Sequence, residues 1–258
     1  MGGVAHSRLS GPSAAWADLR ARVRLQAAGL RAPAAAGSGL CEVCWAPVHP
    51  GYARCFDCDL HAESVPGGSA DVVLPIAYSV KGSDLARDLW LYKSARAGAP
   101  AARAALRARL LVFLRDHGGC LRRQAAMPPV THLCVVPSGR GRPGPHPLAA
   151  LIAPYVGLPW AGLAARGNDH RWVRELDPDR FQAAQPLPGA TVLLLDDTWA
   201  SGGSVQSASA ALRRAGASWV AAVVLGRHLT LPHPAGVPFR PDHCAVHGAG
   251  HALIRLDL

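Results

Sequence analysis

Residues 192–204 bring together an apolar run, two neighbouring carboxylates and a loop of hydroxyls and glycines. The run 192–195 has the length and branching of a strand buried on both faces, and helical spacing resumes at 207–214. The polar residues between them therefore predict a strand-to-helix turn. Backbone N–H groups and the dipole at the start of that helix favour a phosphate, and Gly202 and Gly203 let the main chain approach it closely.

The carboxylates of this segment suit a neighbouring sugar, because Asp196 and Asp197 can accept hydrogen bonds from adjacent ribose hydroxyls. The pattern therefore predicts a site for ribose 5-phosphate, with these two acids as the candidate catalytic residues. The alternative is an ordinary acidic turn after a buried strand. The residues predicted to form the phosphate loop are Thr198, Trp199, Ala200, Ser201, Gly202, Gly203 and Ser204.

Two Cys-x2-Cys pairs, Cys41 with Cys44 and Cys55 with Cys58, are separated by ten residues. Four thiolates at this separation can surround one zinc ion, and a ribbon of about twenty residues has too little core to fold without metal. The alternatives are a pair of disulfides, which a reducing cytoplasm disfavours, and a redox motif, which needs a strand-to-helix setting that nearby prolines oppose. We predict a closed, structural zinc site.

Three cysteines lie outside these pairs, and one of them belongs to a histidine-rich segment. Cys244 is accompanied by His243, His247 and His251, whose four-residue spacing could place three histidines on one helical face to bind a metal. Two glycines weaken such a helix, so a loop or tail is the competing interpretation. Cys134 falls within an apolar run and is expected in the core.

The elements that must position these residues follow from hydrophobic periodicity. The predicted strands are 132–136, 191–195 and 219–225, and the predicted crossover helices are 148–155 and 204–214. This alternation predicts an α/β fold with a parallel sheet flanked by helices, and ligands on such sheets bind beyond the carboxyl ends of the strands. The alanine- and arginine-rich segment 99–114 is expected to be a packing helix.

The chain has 258 residues, half of them hydrophobic, and a formal net charge of +10. It is long enough for one good core and a small accessory unit. No apolar stretch approaches the roughly 20 residues that span a bilayer, and arginines interrupt the N-terminal apolar residues. We therefore expect no membrane span, no secretory signal and a cytoplasmic location. The arginines are dispersed, which fits either a solvated basic surface or weak nucleic-acid binding.

At residues 192–204 the sequence resembles the phosphoribosyl-diphosphate (PRPP) signature of the type I phosphoribosyltransferases: four apolar residues, two acids and a Thr/Ser/Gly-rich loop. It departs at Trp199 and Ala200, where the family has a small or β-branched residue and a threonine. With the preceding four-cysteine ribbon, the chain is similar to the ComF family of competence-associated, phosphoribosyltransferase-like proteins. This resemblance covers residues 38–228 and includes the tyrosine and lysine of segment 91–93.

The resemblance implies a type I phosphoribosyltransferase-like fold and a division of the chain into four parts. These are an N-terminal basic helix or extension (1–37), a zinc ribbon (38–66), a phosphoribosyltransferase-like domain (67–230) and a C-terminal extension (231–258).

The resemblance also implies that the loop after strand 132–136 receives pyrophosphate, although the family's Arg-Gly-Phe-Asn-Gln box is replaced here, and that the polar segment 166–182 forms a flap over PRPP. A plain linker and a basic surface loop are the competing interpretations. The implied pyrophosphate-loop residues are Ser138, Gly139, Arg140, Gly141 and Arg142, and the implied flap arginines are Arg171, Arg174 and Arg180.

The activity implied by the resemblance is binding of PRPP or ribose 5-phosphate with Mg²⁺, and transfer of the phosphoribosyl group to a nitrogenous acceptor with release of pyrophosphate. No residue set specifies the acceptor. The alternative is a non-catalytic PRPP-loop module that acts in DNA uptake through single-stranded DNA or competence proteins. Such DNA binding would lack sequence preference and weaken steeply with salt.

Overall fold

The computed structural model describes residues 13–35, 39–124, 126–138, 146–166, 174–230, 236–246 and 248–249. The helices are α1 (Ser13–Leu25), α2 (Phe56–Ser64), α3 (Asp84–Leu91), α4 (Ala99–Gln124), α5 (Pro147–Ile152) and α6 (Gly203–Arg214), with a 3-10 turn at Ala153–Tyr155. The strands are β1 (Arg31–Pro33), β2 (Val72–Val80), β3 (His132–Val135), β4 (Leu163–Ala165), β5 (Phe181–Ala183), β6 (Thr191–Trp199), β7 (Trp219–Leu229), β8 (Gly236–Pro238), β9 (His243–Cys244) and β10 (Gly248–Ala249).

A six-stranded sheet with the order β3-β6-β7-β2-β1-β8 forms the centre of the molecule. The neighbouring strands β3, β6, β7 and β2 run parallel, whereas β1 is antiparallel to both β2 and β8. Beside this sheet, β4 pairs with β5 and β9 pairs with β10, each antiparallel. The parallel part therefore has four strands, and their carboxyl ends lie at one edge.

Alternate residues of the central strands face two separate apolar cores, which explains why these strands are continuously hydrophobic. On one face of β6, Leu193 and Leu195 belong to a core that includes residues of α3, α4 and α5. On the other face, Val192 and Leu194 belong to a core that includes residues of α6. Helices thus cover both faces of the sheet, and the predicted α/β fold with a mostly parallel sheet is confirmed.

The predicted elements are present with shifted ends. The predicted strands appear as β3, β6 and β7, and the predicted crossover helices as α5 and α6. Helix α4 extends well beyond the predicted segment 99–114, because buried side chains continue as far as Leu121. Within the described part of the chain, no helix combines the length and the hydrophobicity that crossing a bilayer requires.

Strand β6 is longer than its apolar run. It continues because Thr198 and Trp199 remain paired with Gly226 and Arg227 of β7. The turn predicted to begin at Asp196 therefore begins only after Trp199. As a result, the two acids are held by the sheet, which fixes their backbone more firmly than a loop would.

Short strands from both ends of the chain close the edge of the sheet opposite β3. The Arg31 guanidinium donates a hydrogen bond to the Gly236 carbonyl at 2.5 Å, and the Phe239 N–H donates one to the Leu30 carbonyl at 3.0 Å. The segments expected to be terminal extensions thus each contribute a strand to the central sheet.

Candidate functional site

The carboxyl ends of β3 and β6 meet at one edge of the sheet because the two strands are parallel neighbours. The Val136 N–H at the end of β3 donates to the Leu195 carbonyl at 3.0 Å. Ser138 follows β3, and β6 leads through residues 200–202 into α6. The edge therefore carries the start of both segments expected to bind ligand. The remaining pyrophosphate-loop candidates lie outside the described residues: Gly139, Arg140, Gly141 and Arg142.

Asp197 is only 6% exposed and is held by two side chains that follow α3. The Tyr92 hydroxyl donates a hydrogen bond to Oδ2 of Asp197, and the Lys93 ammonium forms an ion pair with the same oxygen. Arg103 of α4 fixes the turn that carries them by donating to the carbonyls of Tyr92 at 2.9 Å and Ser94 at 2.7 Å. The tyrosine and lysine of segment 91–93 therefore orient the second acid.

Gly226 of β7 permits α3 to lie close to the sheet beside the acids. A Cβ at this position would lie 2.7 Å from Cδ1 of Leu89 and 2.9 Å from Cβ of Ser79. Gly226 pairs with Thr198, the residue after the acid pair. The absence of a side chain here thus leaves room for Leu89 of α3 against the sheet.

Asp196, the first acid of the pair, has a strongly shifted pKa. It accepts a hydrogen bond from the Asp197 N–H at 2.8 Å. Burial raises the pKa of Asp196 from 3.8 to about 8, the charge of Asp197 acts in the same direction, and Lys93 opposes the shift. At neutral pH Asp196 therefore holds a proton, while the Lys93 ammonium lies against Asp197. Such a pair can both donate hydrogen bonds to sugar hydroxyls and accept them.

Arg227 of β7 is a site residue that the sequence patterns do not identify. Its Nη1 donates to the carbonyls of Trp199 at 3.1 Å, Ala200 at 2.8 Å and His228 at 2.7 Å, and the side chain is buried. The signal available in the sequence was a charged residue two positions after the predicted strand 219–225. Only the register of β7 against β6 shows that this charge holds the loop after Trp199.

The start of α6 is covered by another part of the chain. Gly202 has a φ of 95°, in the left-handed region that glycine adopts freely, and Gly203 begins the helix. The Ser201 hydroxyl donates to the Arg174 carbonyl at 2.8 Å. A Cβ on Gly203 would lie 2.5 Å from the carbonyl oxygen of Glu175 and 2.6 Å from that of Arg174. Two carbonyl oxygens therefore lie beside Gly203, within the loop predicted to bind phosphate.

The predicted flap arginines have different surroundings. Arg180 donates from Nη1 to the Ser204 hydroxyl at 3.0 Å, so this arginine does lie at the predicted phosphate loop. The Arg174 guanidinium points elsewhere, with Nη2 3.4 Å from Oδ2 of Asp57 in α2. Arg171 lies outside the described residues.

Trp199 and Ala200, the two departures from the PRPP signature, have opposite environments. The Trp199 ring is buried and fills the space beside Gly202, where any Cβ would overlap the indole. Ala200 is exposed but has no hydroxyl group. The position at which the PRPP signature has a threonine therefore offers no hydroxyl to a ligand. The hydroxyls of the loop are therefore those of Thr198, Ser201 and Ser204.

The four predicted zinc ligands come together in space. The Sγ atoms of Cys41, Cys44, Cys55 and Cys58 all lie within 4.8 Å of one another, with Cys44 and Cys55 3.6 Å apart. The Cys44 N–H donates to Cys41 Sγ at 3.5 Å, in a turn that requires a φ of 61° at Trp45. The pKa of Cys41 lies far below its ordinary value because the other three thiols hydrogen-bond to it, Cys44 most strongly. This cluster could hold a metal ion such as zinc.

The four-cysteine unit contacts both the sheet and the segment over α6. Trp45 donates from Nε1 to the Val73 carbonyl at 2.8 Å, and its own carbonyl accepts from the Tyr78 hydroxyl at 2.7 Å. In α2, Nε2 of His61 lies 3.2 Å from the Arg174 carbonyl oxygen. Because that oxygen can only accept, His61 is the donor. The cysteine unit is therefore linked to the candidate phosphate loop through Arg174.

The histidine-rich segment does not form a helix where it is described. It forms the short strand β9, which pairs with β10. Nε2 of His243 lies 2.7 Å from the Pro33 carbonyl oxygen, so this histidine joins the two ends of the chain. His247 and His251 lie outside the described residues.

An open cavity of about 410 Å³ lies between β5 and the last turn of α6, with Arg166, Gln182 and Arg214 in its wall. The candidate phosphate loop is at the other end of α6, where Arg174 and Glu175 cover it. Ser204 in the first turn of α6 is exposed and open to a ligand, whereas the Gly203 backbone lies against the Arg174 and Glu175 carbonyls.

Two solved structures are similar to about half of this chain. One is a hypoxanthine phosphoribosyltransferase from Staphylococcus aureus, at 10% identity and a TM-score of 0.29, covering 46% of this chain and 72% of that chain. The other is a purine phosphoribosyltransferase from Pyrococcus horikoshii Ot3, at 13% identity and a TM-score of 0.28, covering 52% of this chain and 90% of that chain. No protein-family model matches the chain, and no curated protein sequence matches it.

Proposed function

We propose that the protein binds PRPP or ribose 5-phosphate at the edge formed by the ends of β3 and β6. The observation that carries the proposal is the acid pair near the end of β6, separated by five residues from a helix that begins at Gly203. Ligands of parallel sheets lie at this edge, and the start of a helix favours phosphate. The Tyr92 and Lys93 contacts with Asp197 support the assignment, because they fix a carboxylate next to that phosphate position.

In this proposal the 5-phosphate lies on the N–H groups and hydroxyls of residues 201–204. A phosphate oxygen replaces the Arg174 carbonyl as the acceptor of the Ser201 hydroxyl, and a charged acceptor forms a stronger hydrogen bond with this donor than a carbonyl does. Asp197 accepts from the ribose hydroxyls, and Asp196 supplies a second contact as donor or acceptor according to its protonation.

If the protein is an enzyme, a nitrogen of the acceptor forms a bond to C1 of ribose while the bond from C1 to the pyrophosphate oxygen breaks, and the acceptor nitrogen loses its proton. Asp196 and Asp197 orient the ribose, and Asp197 also stabilises positive charge at C1. The leaving pyrophosphate lies toward Ser138 and the loop 139–142, with Arg180 and Arg171 as candidate cations. Mg²⁺ accompanies PRPP in this proposal.

The acid pair fits Mg²⁺ only indirectly. Oδ2 of Asp197 is already shared by Tyr92 and Lys93, and the raised pKa keeps Asp196 protonated at neutral pH. Mg²⁺ commonly retains several waters and binds through substrate phosphates with one or two carboxylates. Bound in that way, it would offset the negative charge of the pyrophosphate.

Calorimetric titration of PRPP with Mg²⁺ tests this proposal. The parent protein should bind, and the double variant Asp196→Asn, Asp197→Asn should bind at least about tenfold more weakly, a loss of about 1.4 kcal/mol. Asp18→Asn is a matched control, because Asp18 is exposed on α1. Equal affinity of the parent and the double variant would exclude the ribose assignment.

Pyrophosphate release then separates an enzyme from a binding module. The parent protein with PRPP and Mg²⁺ is offered purines, pyrimidines and small amines in turn. Release that depends on one of these acceptors and is lost in the double variant supports phosphoribosyl transfer. Binding of PRPP without release for any acceptor class supports the module.

A second candidate function, binding of single-stranded DNA in DNA uptake, is favoured by exposed aromatic side chains on the four-cysteine unit. Tyr52 is 70% exposed and Phe56 is 81% exposed, with Arg54 between them in sequence. Stacking of bases on such side chains contributes about 1–3 kcal/mol per base without sequence preference. This candidate is compatible with PRPP binding, because Tyr52 and Phe56 are not part of the phosphate loop.

Fluorescence anisotropy of a labelled oligonucleotide tests the DNA candidate. Tyr52→Ala with Phe56→Ala should weaken binding, and affinity should fall steeply as salt rises. Trp90→Ala is the matched control, since Trp90 is another exposed aromatic residue, at 58%, but lies on α3. If the parent protein does not bind the oligonucleotide at low salt, this candidate is wrong.

A further inference from the structure

A second group of metal-ligating side chains lies away from the four-cysteine unit. His117 and Cys120 lie one turn apart on α4, and Cys244 belongs to β9. All three are buried, with exposures of 1%, 0% and 2%. Nδ1 or Nε2 of the histidine and the two Sγ atoms lie within 4.8 Å of one another. The fold therefore brings residues that are far apart in the sequence into one compact cluster.

The separation within the cluster fits a shared ion. Sγ of Cys120 lies 3.9 Å from Nδ1 of His117. Zinc bonds of about 2.3 Å to sulfur and about 2.0–2.1 Å to nitrogen, at tetrahedral to trigonal angles, place two such ligands roughly 3.6–3.8 Å apart. A small side-chain adjustment would therefore let both atoms bind one ion.

The other ring nitrogen of His117 is held in the way that metal-bound histidines usually are. Nε2 of His117 lies 2.8 Å from the Pro241 carbonyl oxygen. The carbonyl can only accept, so Nε2 carries the hydrogen, and the lone pair of the neutral imidazole is on Nδ1, the nitrogen nearest Cys120. A backbone carbonyl that fixes ring orientation and tautomer is a common outer contact of histidine ligands.

We propose that His117, Cys120 and Cys244 form a second zinc site, distinct from the four-cysteine cluster. Two thiolates and one imidazole select thiophilic ions and disfavour Mg²⁺ and Ca²⁺, which prefer oxygen. Two thiolates with Zn²⁺ give a neutral group, which suits a buried position, whereas Cu⁺ would leave a net negative charge. The ion would bind the C-terminal strand β9 to the long helix α4.

Metal analysis of the full chain, purified with a reductant, tests this proposal. The parent protein should contain two zinc ions per chain. Cys120→Ser and Cys244→Ser should each lower this number to one while the four-cysteine site keeps its ion. Cys134→Ser is the matched control, because Cys134 is a buried cysteine of β3 and the count should stay at two.

Cobalt substitution covers the case in which these variants fail to fold. Replacing Cys41, Cys44, Cys55 and Cys58 together by serine removes every thiolate of the four-cysteine cluster, and the cobalt-loaded quadruple variant should still show thiolate-to-cobalt charge-transfer absorption from the second site. Three results would overturn the proposal: a single zinc ion per chain in a parent whose four-cysteine cluster is filled, a second equivalent that proves to be copper, or a Cys120–Cys244 disulfide in the reduced preparation.

Discussion

At the scale of single residues, the two acids of the candidate site have unequal roles that their adjacent positions do not reveal. Asp197 is fixed by Tyr92 and Lys93, which lie about a hundred residues earlier in the chain. Asp196 is the partner whose ionisation burial opposes. The sequence predicted that both acids belong to a site, because paired carboxylates between a buried strand and a glycine-rich turn are typical of a sugar-phosphate site. It could not predict their partners, because long-range packing brings those partners to β6.

The raised pKa of Asp196 predicts a particular dependence of stability on pH. The folded protein keeps a proton on Asp196 up to about pH 8, whereas the unfolded chain loses it near the ordinary value of 3.8. Between these values the folded state binds more protons than the unfolded chain. The stabilising contribution of protonated Asp196 is therefore fully present below pH 3.8, declines as the pH rises, and is lost as the pH passes through about 8. Asp196→Asn should remove this decline, with the variant gaining more than about 1 kcal/mol over the parent at pH 9.

Urea unfolding at a series of pH values between 5 and 9 measures the effect. Asp18→Asn, an exposed substitution, should leave the shape of the parent profile unchanged. If Asp196→Asn declines as steeply as the parent, Asp196 is ionised in the folded protein at neutral pH and the proton assignment is wrong.

At the scale of elements, the sequence predicted β3, β6 and β7 because each contains a continuous apolar run. Alternate residues of these runs pack into the cores on the two faces of the sheet. The strands β1, β4, β5 and β8 have three residues each, and such short segments carry no periodicity of their own. Their pairing comes from tertiary contacts. Strand β2 was not predicted either, although its buried run from Val72 carries the signal of a buried strand.

The approach of α3 to the sheet is predicted to depend on Gly226. Gly226→Ala places a methyl group 2.7 Å from Cδ1 of Leu89 in α3 and 2.9 Å from Cβ of Ser79 in β2, so Leu89 must repack, and we expect the turn with Tyr92 and Lys93 after α3 to be disturbed. Overpacking of this kind costs about 1–3 kcal/mol in the free energy of unfolding. We expect that loss in urea unfolding, together with weaker PRPP binding. Gly157→Ala is the control, because a Cβ at Gly157 meets nothing within 4 Å.

The four-cysteine unit should control the mobility of the segment over α6. Metal removal by a chelator should loosen α2 and with it the His61 and Asp57 contacts with Arg174. Hydrogen exchange should then rise in peptides covering 55–64 and 174–180, while β6 and β7 stay protected. His61→Ala breaks one of these contacts without touching a cysteine and should raise exchange in 174–180 alone. Unchanged exchange in 174–180 after metal removal would show that the two segments are independent.

At the scale of the whole molecule, the division into an N-terminal extension, a ribbon, a central domain and a C-terminal extension stays a prediction, but the ends of the chain do more than extend a finished core. β1 and β8 pair with each other at the sheet edge, His243 contacts the Pro33 carbonyl, and His117 contacts the Pro241 carbonyl. Sequence could not predict this, because the pairing joins segments about two hundred residues apart and neither has a strand pattern of its own.

Removal of the chain after residue 230 should therefore destabilise the opposite end of the protein. The truncation leaves β1 with β2 as its single partner in the sheet and exposes the apolar surface that Phe239 covers. Burial of side chains of this size contributes about 1.5–3 kcal/mol each, so the free energy of unfolding should fall by more than about 3 kcal/mol. Urea unfolding measures the loss, and Cys244→Ser, which retains β8, separates the effect of the strand from that of the proposed zinc ion.

PRPP affinity of the folded fraction should stay within about threefold of the parent, because the acid pair lies on β6, with β7 and β2 between it and β1. A truncated chain as stable as the parent would show instead that the sheet is complete at β2.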